Sequence, residues 1–186
     1  MTRLAQESIA TLTGMPGFEF VPSHDQVCLC LLRYCTSPQD EVLEHIKRDV
    51  ANLALGNKDN HARNTAVQRD FNAGVALTPL YDFAPMYLHP DGIARRIRWQ
   101  DNDGGQPNWC RVLDRVCELG VQGQAERKKK GPGLVQRGPL VEGLKSMVPT
   151  LETIAQEGES MGLAPEVIRH LRVGILAQAK ALAALR

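Results

Sequence analysis

The sequence predicts a mainly α-helical fold of the α+β kind, with one small β-hairpin set after its first long helix. Three observations carry this. Apolar residues recur at helical spacing over residues 42–54, 112–119 and 167–182. Two short arms, 65–69 and 74–78, flank a polar turn that ends in glycine, the pattern of a hairpin. No stretch approaches the run of about 20 apolar residues that a membrane span requires, so no membrane contact is expected.

In chain order, Leu4, Ile9 and Leu12 suggest a short helix within residues 1–36, a segment expected to pack on the lobe formed by residues 37–186. Ser8, His24 and Asp25 receive no chemical role from the sequence. Ser37 followed by Pro38 reads as a helix N-cap and first turn, with Asp40 and Glu41 where the helix dipole favours negative charge. Val42, Leu43, Ile46, Val50, Leu53 and Ala54 then form a stripe, and Gly56 sits where a left-handed C-terminal cap is wanted. Asp70-Phe71-Asn72-Ala73 is the hairpin turn, and Pro79 ends the second arm. Residues 83–108 are rich in Pro, Gly, Asp and Asn and read as an irregular loop, with a short strand over Ala94 to Trp99. Trp109 to Leu119 is expected as a helix and Pro139 to about Gln156 as another. Ala164-Pro165-Glu166 opens a last helix with a core stripe at Val167, Ile168, Leu171, Ile175 and Leu182.

With 186 residues, 43 % hydrophobic and 23 % charged, the chain fits one globular unit that hides roughly 70 % of its unfolded surface. A net charge of +1 argues against a protein built to coat nucleic acid, and no direct sequence-specific nucleic-acid binding is expected. The first residues lack an apolar signal-peptide core, which leads to an expected cytoplasmic location. The five cysteines, three of them in CLCLLRYC, then read as reduced, partly buried thiols, since no C-x-x-C pair exists to begin a zinc site. The basic tract at 127–130 reads as a surface loop, or as a contact for phosphate or an acidic partner.

The chemistry concentrates in Gly56-Asn57-Lys58-Asp59-Asn60-His61-Ala62-Arg63-Asn64, directly behind the first long helix. Asp59 and Asn64 stand in D-x-x-x-x-N spacing, and Asp82 follows the hairpin in Asp82-Phe83-Ala84. Protein kinases use this order. An Asp after a long helix accepts the substrate hydroxyl proton, an Asn five residues on holds magnesium, and a second Asp beyond a hairpin takes magnesium and bridges the phosphates. Magnesium suits such a clamp because it prefers oxygen ligands and needs only one or two from the protein beside phosphate oxygens. Lys58 and Arg63 would meet phosphate, or else satisfy the helix C-terminus. His61 would hold the loop by hydrogen bonding, bind a metal, or fill the turn. The competing reading of Asp59 and Asn64 is cap and turn chemistry after a helix.

The stretch from Ala54 to Asn64, followed by Leu77-Thr78-Pro79-Leu80-Tyr81-Asp82, resembles the C-terminal signature of HipA-like serine/threonine kinases, the toxins of bacterial toxin–antitoxin pairs. The likeness covers roughly residues 40–85. It implies a helical, kinase C-lobe-like domain whose small hairpin carries the catalytic loop. It further implies Asp59 as the base, Asn64 and Asp82 as Mg2+ ligands, and a nucleotide-contacting set of Lys58, His61 and Arg63. ATP would be the phosphoryl donor and a protein, such as an aminoacyl-tRNA synthetase, the acceptor. A helix-turn-helix antitoxin is an implied partner.

The sequence also departs from that family. Such kinases are about twice this length, and neither a glycine-rich phosphate loop nor a V-A-I-K-like lysine strand is present in these 186 residues. The chain therefore reads as the C-lobe alone, which leaves open an N-lobe on a separate chain and makes ATP binding weak or absent in isolation. Two other classes stay open. One is a non-catalytic remnant that serves as a protein-interaction module. The other is a metal-dependent hydrolase using Asp59, His61 and Asp82 with His89 or Asp91.

Overall fold

Asp70 closes the polar turn as its side chain dictates: Oδ1 accepts the Asn72 and Gly74 amides at 2.8 and 2.7 Å. The two arms are thereby brought into antiparallel register. The computed structural model describes residues 4–14, 21–86, 94–101, 104–126 and 134–186. Its elements are β1 (Ala5–Ser8), α1 (Ile9–Leu12), α2 (His24–Tyr34), α3 (Pro38–Ala54), β2 (Ala66–Arg69), β3 (Val75–Leu77), α4 (Trp109–Glu126), α5 (Arg137–Lys145), α6 (Val148–Glu157) and α7 (Pro165–Ala183).

The fold is mainly helical with one three-stranded antiparallel sheet in the order β1-β2-β3. Val67 lies opposite Leu77 in the hairpin, and Ser8 opposite Ala66 on the other side. The outer edge of β3 is satisfied by side chains and backbone: Thr36 exchanges bonds with Val75, and Glu41 Oε2 accepts the Leu77 amide at 2.8 Å. A short edge treated this way offers no ladder for another chain.

Residues 4–12 differ from the expected lone helix. Ala5–Ser8 extends along β2 first, and only then does Ser8 cap the single turn of α1. The β pairing wins because β2 offers a free row of backbone partners, which a sequence stripe cannot reveal. The Ile9 and Ala10 amides then donate to the carbonyls of Thr65 and Ala62, which pins the end of the polar loop to the amino-terminal segment.

α2 begins with a reciprocal capping box, in which Ser23 Oγ accepts the Gln26 amide and Gln26 Oε1 accepts the Ser23 amide. It buries Val27, Cys28, Leu31 and Leu32 against α3 and α4. The thiols follow the sequence expectation: Cys28 and Cys35 are buried, all five cysteines are free, and burial pushes the Cys28 thiol up. α3 runs as expected, with Pro38 in its first turn and Gly56 left-handed at φ 69° beyond its end. Ser37, however, caps through its carbonyl, which accepts the Asp40 and Glu41 amides, and its hydroxyl makes no cap bond.

The helix expected over 139–156 is two helices. Pro149 in the first turn of α6 cannot donate to residue 145, so the ladder breaks at Ser146-Met147, where the Ser146 hydroxyl turns back to the Gly143 carbonyl. α6 and α7 pack together, and α7 also covers α3 behind the polar loop. Val42, Ile46 and Val50 of α3 join Leu113, Leu140, Leu144, Ile168 and Ile175 in one core, each such side chain contributing about 1.5–3 kcal/mol on burial.

No strand forms at 94–99, although its alternation is real: Arg95, Ile97 and Trp99 are buried while 94, 96 and 98 are exposed. Its backbone is engaged by α2, through the His24 amide donating to Arg98 O at 2.9 Å, and by a side chain described below. The basic run 127–130, His89 and Asp91 lie outside the described residues.

Candidate active site

Helix α3 ends at Ala54, and Gly56 releases the chain into a loop that is stitched by its own amides. Asn57 is buried; its Nδ2 donates to Asn52 Oδ1 at 2.9 Å and its Oδ1 accepts the Asp59 amide at 3.1 Å. Asn64 Nδ2 donates to the Asp59 carbonyl at 3.1 Å, and the Asn64 side-chain oxygen has no partner among the described residues. His61 Nδ1 accepts the Arg63 amide at 3.3 Å, so its proton resides on Nε2, which faces Asp59 Oδ1 at 3.7 Å. From the far arm, Tyr81 Oη donates to the Arg63 carbonyl at 2.6 Å, tying the approach to Asp82 onto the loop. Burial, then the neighbouring Asp82 charge, push the Tyr81 phenol up, which keeps it a donor.

Beneath the loop lies a buried polar cluster. Asp49 of α3 accepts Arg95 Nη2 at 2.7 Å on both carboxylate oxygens and Trp99 Nε1 at 2.9 Å. His24 Nε2 stands 3.1 Å from Asp49 Oδ1, its ring stacks on Trp99 at 4.9 Å between centroids, and its Nδ1 meets His45 Nε2 at 3.0 Å. Burial alone would raise the Asp49 carboxyl, but its bonds to His24 and Arg95 outweigh that and hold it well below the usual carboxylate range. His45 goes the other way. Burial, reinforced by His24, pushes it down to about 3, so it is neutral.

One cleft opens over this floor. Its lining includes Asp59, Asn60 and Asn64 from the loop, Tyr81 and Asp82 from the far arm, and His24, His45, Arg48 and Asp49 from the helices. The three residues singled out for phosphoryl transfer, Asp59, Asn64 and Asp82, thus meet in one place although Asp82 is separated from Asn64 by the whole hairpin. Asp82 has a left-handed backbone at φ 52°, uncommon away from glycine, and its exposed carboxylate has no hydrogen bond or ion pair among the described residues. Lys58, His61 and Arg63 are not part of the lining; Lys58 points to solvent, and His61 serves the loop backbone. The cleft's cation is Arg48, whose Nη2 donates to the Thr78 carbonyl at 2.7 Å and whose Nε pairs with Glu44.

The donor set suits magnesium. The Asn64 amide oxygen and the Asp82 carboxylate, neither with a partner among the described residues, line the cleft, and a hard cation could take oxygen from one or two such groups. Among the described residues no cluster of three or more His, Cys, Asp or Glu side chains is arranged to hold a metal.

The family model described as HipA-like C-terminal domain matches residues 1–135. The chain belongs to that family. The match includes the amino-terminal segment that carries β1, α1 and α2, as well as the polar loop and hairpin. A relative from Sinorhizobium fredii, named "Putative kinase Y4mE", is 29 % identical over 94 residues, which are 48 % of this chain and 22 % of that protein. The HipA of Shewanella oneidensis MR-1, solved with HipB and operator DNA, has the same fold: TM-score 0.54 at 16 % identity, over 88 % of this chain and 36 % of that one. This HipA-like domain therefore spans well under half the length of either relative.

Sequence reasoning missed the floor of the cleft. His24, His45, Asp49, Arg95 and Trp99 come from three places in the chain, and nothing local marks them as partners. The one signal available was Ser23-His24-Asp25-Gln26, whose capping-box spacing announces α2 and so places His24 at a helix start.

Proposed function

We propose that this HipA-like domain is the catalytic lobe of a serine/threonine protein kinase. The observation that carries the reading is the meeting of Asp59, Asn64 and Asp82 in one cleft, with the Asn64 oxygen and the Asp82 carboxylate unengaged among the described residues. In this role Asp59 accepts the proton of the substrate hydroxyl as that oxygen bonds to the γ-phosphorus of ATP and the bond to the ADP oxygen breaks. Asn64 and Asp82 would hold Mg2+, which would supply positive charge beside the phosphoryl oxygens. The loop amides supply the positioning: Asn57 fixes Asp59, and the Asp59 carbonyl orients Asn64.

Arg48 is the one Arg or Lys among the described residues of the lining, too little positive charge for a triphosphate. The rest of the phosphate cradle belongs to a kinase N-lobe, on the same polypeptide or a separate one. Magnesium-ATP accordingly binds residues 1–186 weakly, and calorimetry returning tight binding would contradict this. The HipB in the Shewanella complex makes a helix-turn-helix antitoxin a reasonable partner, with a protein such as an aminoacyl-tRNA synthetase as acceptor. Because this chain covers 36 % of that HipA, a non-catalytic interaction module is the second reading.

Magnesium titration followed by amide NMR, with and without ATP, separates the two. Asp82→Ala should abolish the magnesium-dependent shifts at residues 59–64 while the spectrum stays folded. Unchanged titration in that variant sinks the clamp assignment and favours the interaction module.

A further inference from the structure

The cleft's loop is also held by the segment 94–99, through the side-chain amide of Asn60. Asn60 is 8 % exposed, and both ends of its side chain are engaged by the extended segment 94–99: Nδ2 donates to the Ile97 carbonyl at 3.2 Å, and Oδ1 accepts the Arg96 amide at 3.2 Å. This is the donor–acceptor pairing that a neighbouring strand would supply. The segment cannot slide, because each of its inward residues is fixed. Arg95 and Trp99 bond to the buried Asp49, Ile97 is in the core, and the His24 amide takes Arg98 O. Asp25 extends the hold, accepting the Gln100 amide at 2.8 Å while pairing with Arg115 of α4.

From this we infer that Asn60 is a positioning residue of the cleft: it sets the register of the Asp59–Asn64 loop against a rigid strip anchored on the Asp49–Arg95 pair. The inference rests on the phosphoryl-transfer reading for its consequence. Asn60 follows Asp59 directly, and the Asp59 carbonyl holds the Asn64 amide, so displacement of Asn60 moves the base and one metal ligand together. A displacement of about 1 Å is enough to cost on the order of 100-fold in a positioned reaction. The amide's polarity is not the issue; its reach is. Glutamine carries the same groups one methylene farther out and cannot meet Ile97 O and Arg96 N without pushing the loop away from the strip.

The experiment uses the whole chain and magnesium chloride as the probe. Amide NMR follows the magnesium shifts at Asn64 and Asp82, and amide exchange is read at Asp59 and Arg96, in the wild type, Asn60→Ala, Asn60→Gln and Asp82→Ala. The expected result is at least a fivefold weaker magnesium midpoint in both Asn60 variants, with faster exchange at Asp59 and Arg96 and unchanged exchange in α6 and α7. A role limited to satisfying buried polar groups predicts that Asn60→Gln binds magnesium as the wild type does. That outcome overturns the inference, and so does Asp59 exchange that stays slow in both variants. If Asp82→Ala loses magnesium while the Asn60 variants keep it, positioning fails and the clamp stands. If Asp82→Ala keeps it, the clamp fails, and the positioning role with it.

Discussion

Acid should weaken this fold through His45 well before the carboxylates begin to titrate. His45 is 5 % exposed, within 3.0 Å of His24 and close to Asp49, Arg48 and Arg95, and burial followed by His24 lowers its pKa to about 3. In the unfolded chain the same imidazole takes a proton near pH 6.5. Between those two values the unfolded state binds one more proton than the folded state, so stability is full above pH 6.5 and falls as pH drops towards about 3. The slope for one proton is about 1.4 kcal/mol per pH unit, which integrates to about 2 kcal/mol between pH 8 and pH 5. For a chain of this size that is about 4–8 °C of melting temperature. Asp49 acts in a separate window. Its pKa is depressed, so its contribution is present above the ordinary carboxylate range and is lost only at pH values below it. The perturbation is His45→Gln, which cannot titrate yet retains a hydrogen-bonding partner for His24. Urea unfolding at pH 8, 7, 6 and 5 gives the wild-type minus variant difference, in which the other titrating groups cancel to first order. That difference should fall by about 2 kcal/mol from pH 8 to pH 5. A flat difference would refute the assignment of a neutral, buried His45.

Arg95→Met leaves the buried Asp49 with only Trp99 and His24, and breaking a buried pair from one side costs about 3–5 kcal/mol. A thermal scan should show a fall of about 6–20 °C, and a fall below 3 °C would mean that the pair is not desolvated. Gly56→Ala places a side chain at φ 69°, costing roughly 1–2 kcal/mol, and should perturb amide shifts through 57–64 because that residue sets the angle at which the loop leaves α3. Tyr81→Phe removes the bond to the Arg63 carbonyl and should lower stability by about 0.5–1.5 kcal/mol. Its magnesium titration should also weaken, since the Asp82 arm then loses its tether to the loop at Arg63.

The features legible in the residues are those whose cause lies within a turn or two of the residue concerned. The stripe from Val42 to Ala54, Pro38 at its start and Gly56 beyond its end specify α3, because periodicity and backbone preference act locally. Asp70 and Gly74 specify the hairpin turn for the same reason, and the motif spacing then predicts that Asp59, Asn64 and Asp82 belong together. Tertiary structure alone decided where the polar residues go once they leave the local chain. Ala5–Ser8 is a strand because β2 had a free edge, and residues 94–99 are not a strand because side chains took the bonds that a strand would have made. Asp49 on the helix and Arg95 in an apparently ordinary loop are buried together with His24, His45 and Trp99. A charge reads as surface in any one-dimensional pattern, and only a partner brought from 46 residues away offsets its desolvation. The same long-range geometry turns Asn60 from one more amide in a polar loop into the contact that sets the loop's place over the cleft.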